Sequence, residues 1–324
     1  MTEPLLSVKD LKVHFPLGKG LLGGAAGVVK AVDGISFDLQ PGETLGIVGE
    51  SGCGKSTLGR AILRLTKATE GQVVWLGRDF FGLDESALRE ARRDLQIIFQ
   101  DPLASLDPRM TIGAIIARPL KTFFPSLGKA EIEKRVKEAM QQVGLAPEML
   151  RRYPHEFSGG QCQRIGIARA MILRPKLIVC DEPVSALDVS IQAQIINLLR
   201  KLQAELGLSL LFISHNLSVV RHVSHRVMVL YLGKVMEIAE RDVFYANPMH
   251  PYSKALISAI PLPDPKAERA RERLMLQGDL PSPIKPPSGC RFCTRCPLAT
   301  DLCHMNEPPL SPRDDGRLVA CHFV

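Results

Sequence analysis

The chain is poor in the aromatic side chains on which nucleic-acid binders stack bases. It has one Trp and four Tyr in 324 residues, too few for such a platform, so nucleic acid is not expected as a partner. It also lacks a long apolar run: no stretch approaches the ~18 residues that cross a bilayer as a helix. Its opening, MTEPLLSVKDLKVHFP, has no basic stretch followed by an apolar core, so no export leader is expected and the chain should stay in the cytosol. No internal repeat is visible. What is present is ordinary for a soluble globular protein: 45% hydrophobic and 23% charged residues. The length admits one large domain or a domain with an extension. The formal net charge of +7 suits an acidic partner without choosing among nucleotide, nucleic acid and anionic lipid.

Four short apolar runs read as buried strands: TLGIVG (44–49), LQIIFQ (95–100), LIVCDE (177–182) and LSLLFIS (208–214). Helical patterns lie between them. In 191–206, Ile191, Ile195, Leu198, Leu199, Leu202 and Leu206 follow the helical repeat as one apolar stripe. Strands alternating with helices predict a mainly parallel sheet covered on both faces. HRVMVLYLGKVMEI (225–238) predicts a hairpin turning at Gly233. Beyond about residue 245 the prolines crowd together. PLPDP and PSPIKPPSG cannot be helix interiors, so this part predicts an extension draped over the main domain, with one helix near PYSKALISAI.

Directly after the first strand stands GESGCGKST (49–57), the spacing of a phosphate-binding loop. Its glycines let successive backbone N–H groups curl around a phosphate chain. Lys55 supplies positive charge to the terminal phosphates, Ser56 offers a hydroxyl to Mg²⁺, and the following helix presents its positive end. The predicted cradle is Gly49, Glu50, Ser51, Gly52, Cys53, Gly54, Lys55, Ser56 and Thr57. A later strand ends in Asp181 and Glu182. Either acid alone is an ordinary strand-end residue. After a phosphate loop, one carboxylate suits Mg²⁺ and the second suits activation of an attacking water.

Further landmarks make the chain resemble the ATP-binding cassette (ABC) family. FSGGQCQR (157–164) is similar to that family's signature sequence. Gln100 ends its strand like the Q-loop glutamine, SALD (185–188) resembles the D-loop, and His215 follows LLFIS like the switch histidine. Phe15 stands where the family stacks an aromatic ring on adenine. The resemblance implies an α/β P-loop NTPase core with an N-terminal antiparallel β subdomain, a helical subdomain (101–165) that touches membrane partners, and an irregular Cys/Pro-rich C-terminal extension. It places the nucleotide-binding domain at 1–240 and the extension at 241–324. It implies that Glu182 is the general base, that His215 holds the γ-phosphate, and that Asp181 and Gln100 serve Mg²⁺ and the attacking water. Ser158, Gly159, Gly160 and Gln161, with Asp188, would face ATP bound to another cassette. Two cassettes then close over two ATP molecules and loosen after hydrolysis.

The runs at 231–265 and 278–297 are similar to the ATPases of bacterial oligopeptide and dipeptide importers, and the likeness covers essentially the whole chain. It implies a second, different ATPase subunit, two transmembrane permease subunits, a periplasmic or extracellular solute-binding protein, and a peripheral position on the cytoplasmic face of the inner membrane. Peptide import is the expected function. A related importer of nickel or glutathione is an alternative, as is the cassette subunit of a soluble carbon–phosphorus lyase complex.

Eight cysteines remain to be placed. Cys180 lies in a buried strand and reads as core. Cys53, in the phosphate loop, predicts sensitivity to alkylating agents. Cys162, just past the signature, suggests no role. Four more crowd into GCRFCTRCPLATDLC (289–303), followed by Cys321. In a reducing cytosol such a cluster reads as metal-binding rather than as disulfides. The family resemblance implies a 4Fe–4S cluster on Cys290, Cys296, Cys303 and Cys321. Cys293 departs from that pattern and creates CxxC spacing that also suits structural Zn²⁺. Iron–sulfur, zinc and no metal all stay open. Gly289 is expected to permit a tight turn beside the first cysteine.

Overall fold

The computed structural model of the chain describes residues 3–19, 25–261, 264–270, 274, 276, 278–279 and 281–324. It divides into two compact bodies. Leu262 and Pro263 of the proline-rich PLPDP stretch lie outside the described residues. Among the described residues no helix is long and apolar enough to cross a membrane.

The first body comprises residues 39–44 and 82–213, with Glu3 and Pro4. Three of the expected strands form here, as Leu95–Ile98, Leu177–Asp181 and Ser209–Ile213. They are parallel, with Leu95 opposite Leu177 and Asp181 opposite Ile213. Every residue of the last two is buried, as continuous apolar composition requires of strands covered on both faces. The expected helix runs Val189–Leu206, but its buried face is Ile195, Ile196, Leu199 and Leu202. Leu206 is exposed, because Gly207 at φ 62 ends the helix there. Ile196 takes its place in the core, so the stripe sits slightly rotated from the expected one. Between the strands stand helices Ile112–Phe123, Lys129–Gln142 and Gly159–Met171. Thr111 caps the first by accepting from the Ala114 N–H at 3.4 Å. Arg164 donates to the Val143 carbonyl at 2.6 Å, satisfying an orphan acceptor beyond the second.

The second body comprises residues 5–38, 45–81 and 214–324. It holds an antiparallel sheet in which Leu6–Lys19 lies between Ala25–Leu39 and Glu70–Trp75, with Arg78–Asp79 at the edge. A second sheet starts from Thr44–Val48, which pairs in parallel with Arg226–Tyr231 through Leu45↔Arg226 and Val48↔Val229. The hairpin partner is Lys234–Glu240. Its turn residues Leu232 and Gly233 have φ 43 and 76, the paired left-handed conformations that match the twist of a two-residue hairpin. The extension then does more than drape. Val319 pairs with Glu237 and with Ser311, adding two very short strands to this sheet.

The few aromatics are concentrated here. Tyr231, Tyr252 and Phe292 are fully buried and interlock with ring centroids 4.7–5.3 Å apart, in the tilted and edge-on arrangements that aromatic quadrupoles favour. Phe292 and Tyr252 come from the extension, so the cluster joins it to the hairpin. Below it, Glu237 is completely buried and paired with Arg317 at 3.4 Å. The same carboxylate accepts from the Met249 and His250 N–H groups at 3.1 and 2.9 Å. Asp33 is held by His14 at 2.9 Å and by Arg291 from the extension. Burial would raise its carboxyl, but the His14 bond and the charges of Lys234, Lys30 and Arg291 outweigh that and hold it below the usual range.

His250 Nδ1 caps helix Pro251–Ser258 by accepting from the Tyr252 N–H at 3.0 Å. Burial pushes its imidazole down to about 3, opposed by a backbone bond at Ala320. An unfolded His titrates at about 6.5. Between those values the unfolded chain binds a proton that the folded chain refuses, so stability falls as pH drops from about 6.5 toward 3. The expected loss between about pH 7 and about pH 5 is about 2 kcal/mol from this residue alone. His250→Asn keeps a capping acceptor but cannot titrate. Urea unfolding at the two pH values should show a flatter response in that variant; an unchanged slope would place the sensitivity elsewhere.

Candidate functional site

In the second body the phosphate loop follows strand Thr44–Val48 and leads into helix Lys55–Ile62. Two glycines are structurally required. Gly49 has φ 151, and a Cβ there would collide with the Leu230 carbonyl. Gly54 caps the helix at φ 105, and a Cβ there would collide with the Ala31 carbonyl. Only glycine tolerates both the left-handed conformation and the close backbone. Lys55 is 4% exposed, and its ammonium donates to the loop's own carbonyls, Gly49 O at 2.8 Å and Glu50 O at 3.0 Å. Ser51 and Gly52 are exposed at the loop crest, whereas Ser56 and Thr57 are half-buried in the first helical turn. The arrangement offers an anion a helix N-terminus, a run of N–H groups and a buried cation. Phe15 stands in strand Leu6–Lys19 and is 42% exposed, and His215 is exposed just past Ser214.

Cys53 does not fit its expectation. Its thiol is buried, and burial raises its pKa even against the attraction of Lys55. A buried, protonated thiol is a poor nucleophile, so alkylation at this position is not favoured. Cys180 is core, fully buried with its thiol pushed far up by burial. Cys162 is buried under the signature turn and points its S–H at the Pro154 carbonyl, 3.6 Å away.

In the first body, Asp181 ends strand Leu177–Asp181 and is 1% exposed. Glu182 follows with φ 47, a left-handed conformation that costs a non-glycine residue about 1–3 kcal/mol. Its surroundings fix that conformation. The Glu182 N–H donates to Ile213 O at 3.0 Å, and Ser185 donates to the Glu182 carbonyl through N–H at 3.3 Å and Oγ at 3.1 Å. The result re-aims the carboxylate, and Gln100 Nε2 donates to Glu182 Oε2 at 3.0 Å. Two residues 82 positions apart are thus one directly hydrogen-bonded pair of amide and carboxylate.

Ser158 caps helix Gly159–Met171 in a reciprocal box: its N–H donates to Gln161 Oε1 at 3.0 Å and its Oγ accepts the Gln161 N–H at 3.4 Å. The Gln161 side chain is therefore engaged in the cap. At Gly160 a Cβ would lie 2.5 Å from Ile191 Cγ2, so packing on the next helix demands glycine there. Ser158 and Gly159 are exposed, leaving the helix start open to an anion. Asp188, also exposed, occupies the N-cap position of helix Val189–Leu206.

Comparison with known proteins agrees with this geometry. The ABC transporter family matches residues 32–185, and the oligopeptide/dipeptide transporter C-terminal region matches residues 236–303. The oligopeptide transport ATP-binding protein OppF of Salmonella typhimurium is 60% identical over 94% of this chain and 92% of its own length. AppF of Bacillus subtilis, also an oligopeptide transport ATP-binding protein, is 54% identical over 99% of this chain and 98% of its own. The chain belongs to the ATP-binding subunits of the ABC transporter family. Among solved structures, the dimeric post-hydrolysis cassette MJ0796 bound to ADP and Pi has a TM-score of 0.64 at 30% identity, over 73% of this chain and 98% of that one. CbiO1 of Clostridium perfringens, part of the ABC transporter complex cbiONQ, has a TM-score of 0.65 at 25% identity, over 76% and 92%. The expected fold class therefore holds: a P-loop cassette with antiparallel and mixed sheets.

In this ATP-binding subunit the cysteine loop is compact. Cys290, Cys293 and Cys303 are buried, and Cys296 and Cys321 half-buried. The Cys290 N–H donates to the Cys303 carbonyl at 2.8 Å. Gly289 serves this closure by close approach: a Cβ would collide with the Cys303 carbonyl. Burial pushes the Cys290 thiol up to about 12, with Cys293, Cys303 and Cys296 adding to it. Cys296 is raised by burial, with Cys321, Cys303 and Cys293 in its field. Soft thiol donors suit either iron–sulfur or zinc. Yet among the described residues no three His, Cys, Asp or Glu side chains are gathered as a metal-holding group, so the expected four-cysteine ligand set is not assembled.

Sequence reasoning missed what ties this loop to the phosphate cradle. Arg295, in the turn Cys293–Arg295, bonds Glu50, and the Tyr252 hydroxyl accepts the Glu50 N–H. Nothing in the local spacing of either segment announces the other.

Proposed function

We infer that the chain is an ATP-hydrolysing subunit that powers import of oligopeptides or dipeptides through an ABC transporter. The observation that carries this reading is likeness along the whole chain, cassette and extension alike, to oligopeptide transport ATP-binding proteins. A cassette alone would support ATP hydrolysis without a class of cargo.

In this reading the loop Gly49–Thr57 binds the phosphates, with Lys55 as the cation. Glu182 is the general base, and Gln100 orients it and the attacking water. His215 contacts the γ-phosphate, and Phe15 stacks on adenine. Ser158, Gly159, Gly160 and Gln161, with Asp188, complete the site of a second cassette. Ser56, Asp181 and Gln100 are the oxygen donors for Mg²⁺, which when bound offsets phosphate charge. The second cassette is a different ATPase subunit. Two permease subunits and a solute-binding protein complete the assembly, and the chain sits peripherally on the cytoplasmic face of the inner membrane. The division into a cassette (1–240), its helical part (101–165) and an extension (241–324) belongs to the same reading. A 4Fe–4S cluster on Cys290, Cys296, Cys303 and Cys321, with Zn²⁺ as the alternative, belongs to this reading through the family resemblance of those four positions and the soft chemistry of their thiols alone. Iron, sulfide and zinc analysis of anaerobically purified protein separates the two.

Cells deleted for the chain are expected to lose uptake of a labelled oligopeptide. The wild-type chain should restore it and Glu182→Gln should not. Undiminished uptake in the deletion strain would refute the reading.

A further inference from the structure

Glu50 is an awkward residue for a phosphate loop. It places a carboxylate beside a cradle built for a polyanion, where like charge repels. The second body shows how that charge is met. Arg295 Nη1 lies 2.8 Å from Glu50 Oε2 and 3.1 Å from Oε1. The arginine side chain is 10% exposed and the glutamate 28%. The guanidinium also reaches the Tyr231 hydroxyl at 3.5 Å and lies 6.0 Å from the centre of that ring, a placement that favours a cation. The aromatic cluster of Tyr231, Tyr252 and Phe292 supports it from below.

The backbone of Glu50 is held as firmly as its side chain. Its N–H donates to the Tyr252 hydroxyl at 3.0 Å, and its carbonyl accepts from Lys55 Nζ at 3.0 Å. Two residues beyond Tyr231, at the hairpin turn, the Gly233 N–H donates to the Cys53 carbonyl at 3.0 Å. Two of the groups that hold Glu50, Arg295 and Tyr252, belong to the C-terminal extension.

We propose that Arg295 is a positioning residue for ATP binding: it neutralises Glu50 and holds that carboxylate out of the phosphate cradle, so the extension supplies part of the nucleotide site. The inference rests on the reading of Gly49–Thr57 as the ATP loop. It differs from a packing role in sign. If Arg295 acts by cancelling charge, removing the glutamate's charge cures its loss. If it is only a prop, removing Glu50 as well cannot help.

The test is equilibrium titration of the purified full-length chain with ATP and Mg²⁺. Arg295→Gln, which keeps volume and a hydrogen-bond donor, should weaken ATP binding about tenfold. The defect should shrink as salt is raised, since screening weakens the exposed repulsion. Adding Glu50→Gln should bring affinity back to within about twofold of wild type, a strongly non-additive pair. Arg295→Lys, which keeps the charge, should also restore most of the affinity. Arg295→Ala replaces the Gln variant if melting shows that one misfolded. Wild-type affinity in the charge-removing variant, or a double variant as weak as the single, overturns the proposal. Lys55→Ala in the same assay separates the two readings: if it binds ATP normally, the loop assignment itself fails and the proposal fails with it.

Discussion

Glu182→Gln is expected to abolish turnover while sparing nucleotide binding. A positioned general base contributes about 10²–10⁴-fold, so hydrolysis should fall by about 10³-fold, or about 4 kcal/mol of barrier. The substitution isolates basicity because it disturbs little else. Glu182 sits at φ 47, held by its N–H to Ile213 and by Ser185 on its carbonyl. Glutamine is equally unbranched at Cβ and meets the same backbone constraint. The bond from Gln100 Nε2 to Glu182 Oε2 at 3.0 Å can be kept by a glutamine carbonyl. Only the capacity to take a proton is lost. The check is single-turnover hydrolysis alongside ATP affinity in the assembled transporter. A variant that hydrolyses ATP at the wild-type rate would transfer the base role to another group.

The phosphate loop and the strands beside it were legible because each is written locally. TLGIVGESGCGKST carries strand, loop and helix start within a few residues, and Gly49 and Gly54 sit where a side chain would strike backbone. The turn at Gly233 and the strand ends at Asp181 and Ile213 follow from the same short-range rules. The contacts that join the extension to the cradle are not local. Arg295 and Glu50 are 245 positions apart, and Arg291 and Asp33 are 258 apart. No periodicity links such residues, and an arginine between two cysteines looks like a solvated charge until the chain has folded. The strands Ser311–Pro312 and Leu318–Val319 were invisible for another reason. Two residues are too few to show an alternation, and these strands pair only because an existing sheet edge is waiting for them. The helix stripe placed Leu206 in the core, but Gly207 ends the helix there and Leu206 is exposed.

Lys55→Ala should remove tight ATP binding, and its effect should extend beyond charge. The ammonium is 4% exposed and bonded to Gly49 O and Glu50 O at 2.8 and 3.0 Å. A charge-assisted hydrogen bond contributes about 1.5–3 kcal/mol, and the lysine is the one side-chain cation of the loop itself. Its loss should therefore weaken ATP binding by at least about 10²-fold, or about 3 kcal/mol. The two carbonyls it served would then lose their donor at the mouth of an anion site, where their own partial negative charge opposes phosphate. Lys55→Arg separates these contributions. It restores the charge, but its planar fork does not fit a pocket shaped for a compact ammonium, so affinity should recover only in part. Full recovery with arginine would mean that charge alone matters and that the carbonyl bonds are incidental. Wild-type affinity in the alanine variant would remove the loop from the nucleotide site altogether.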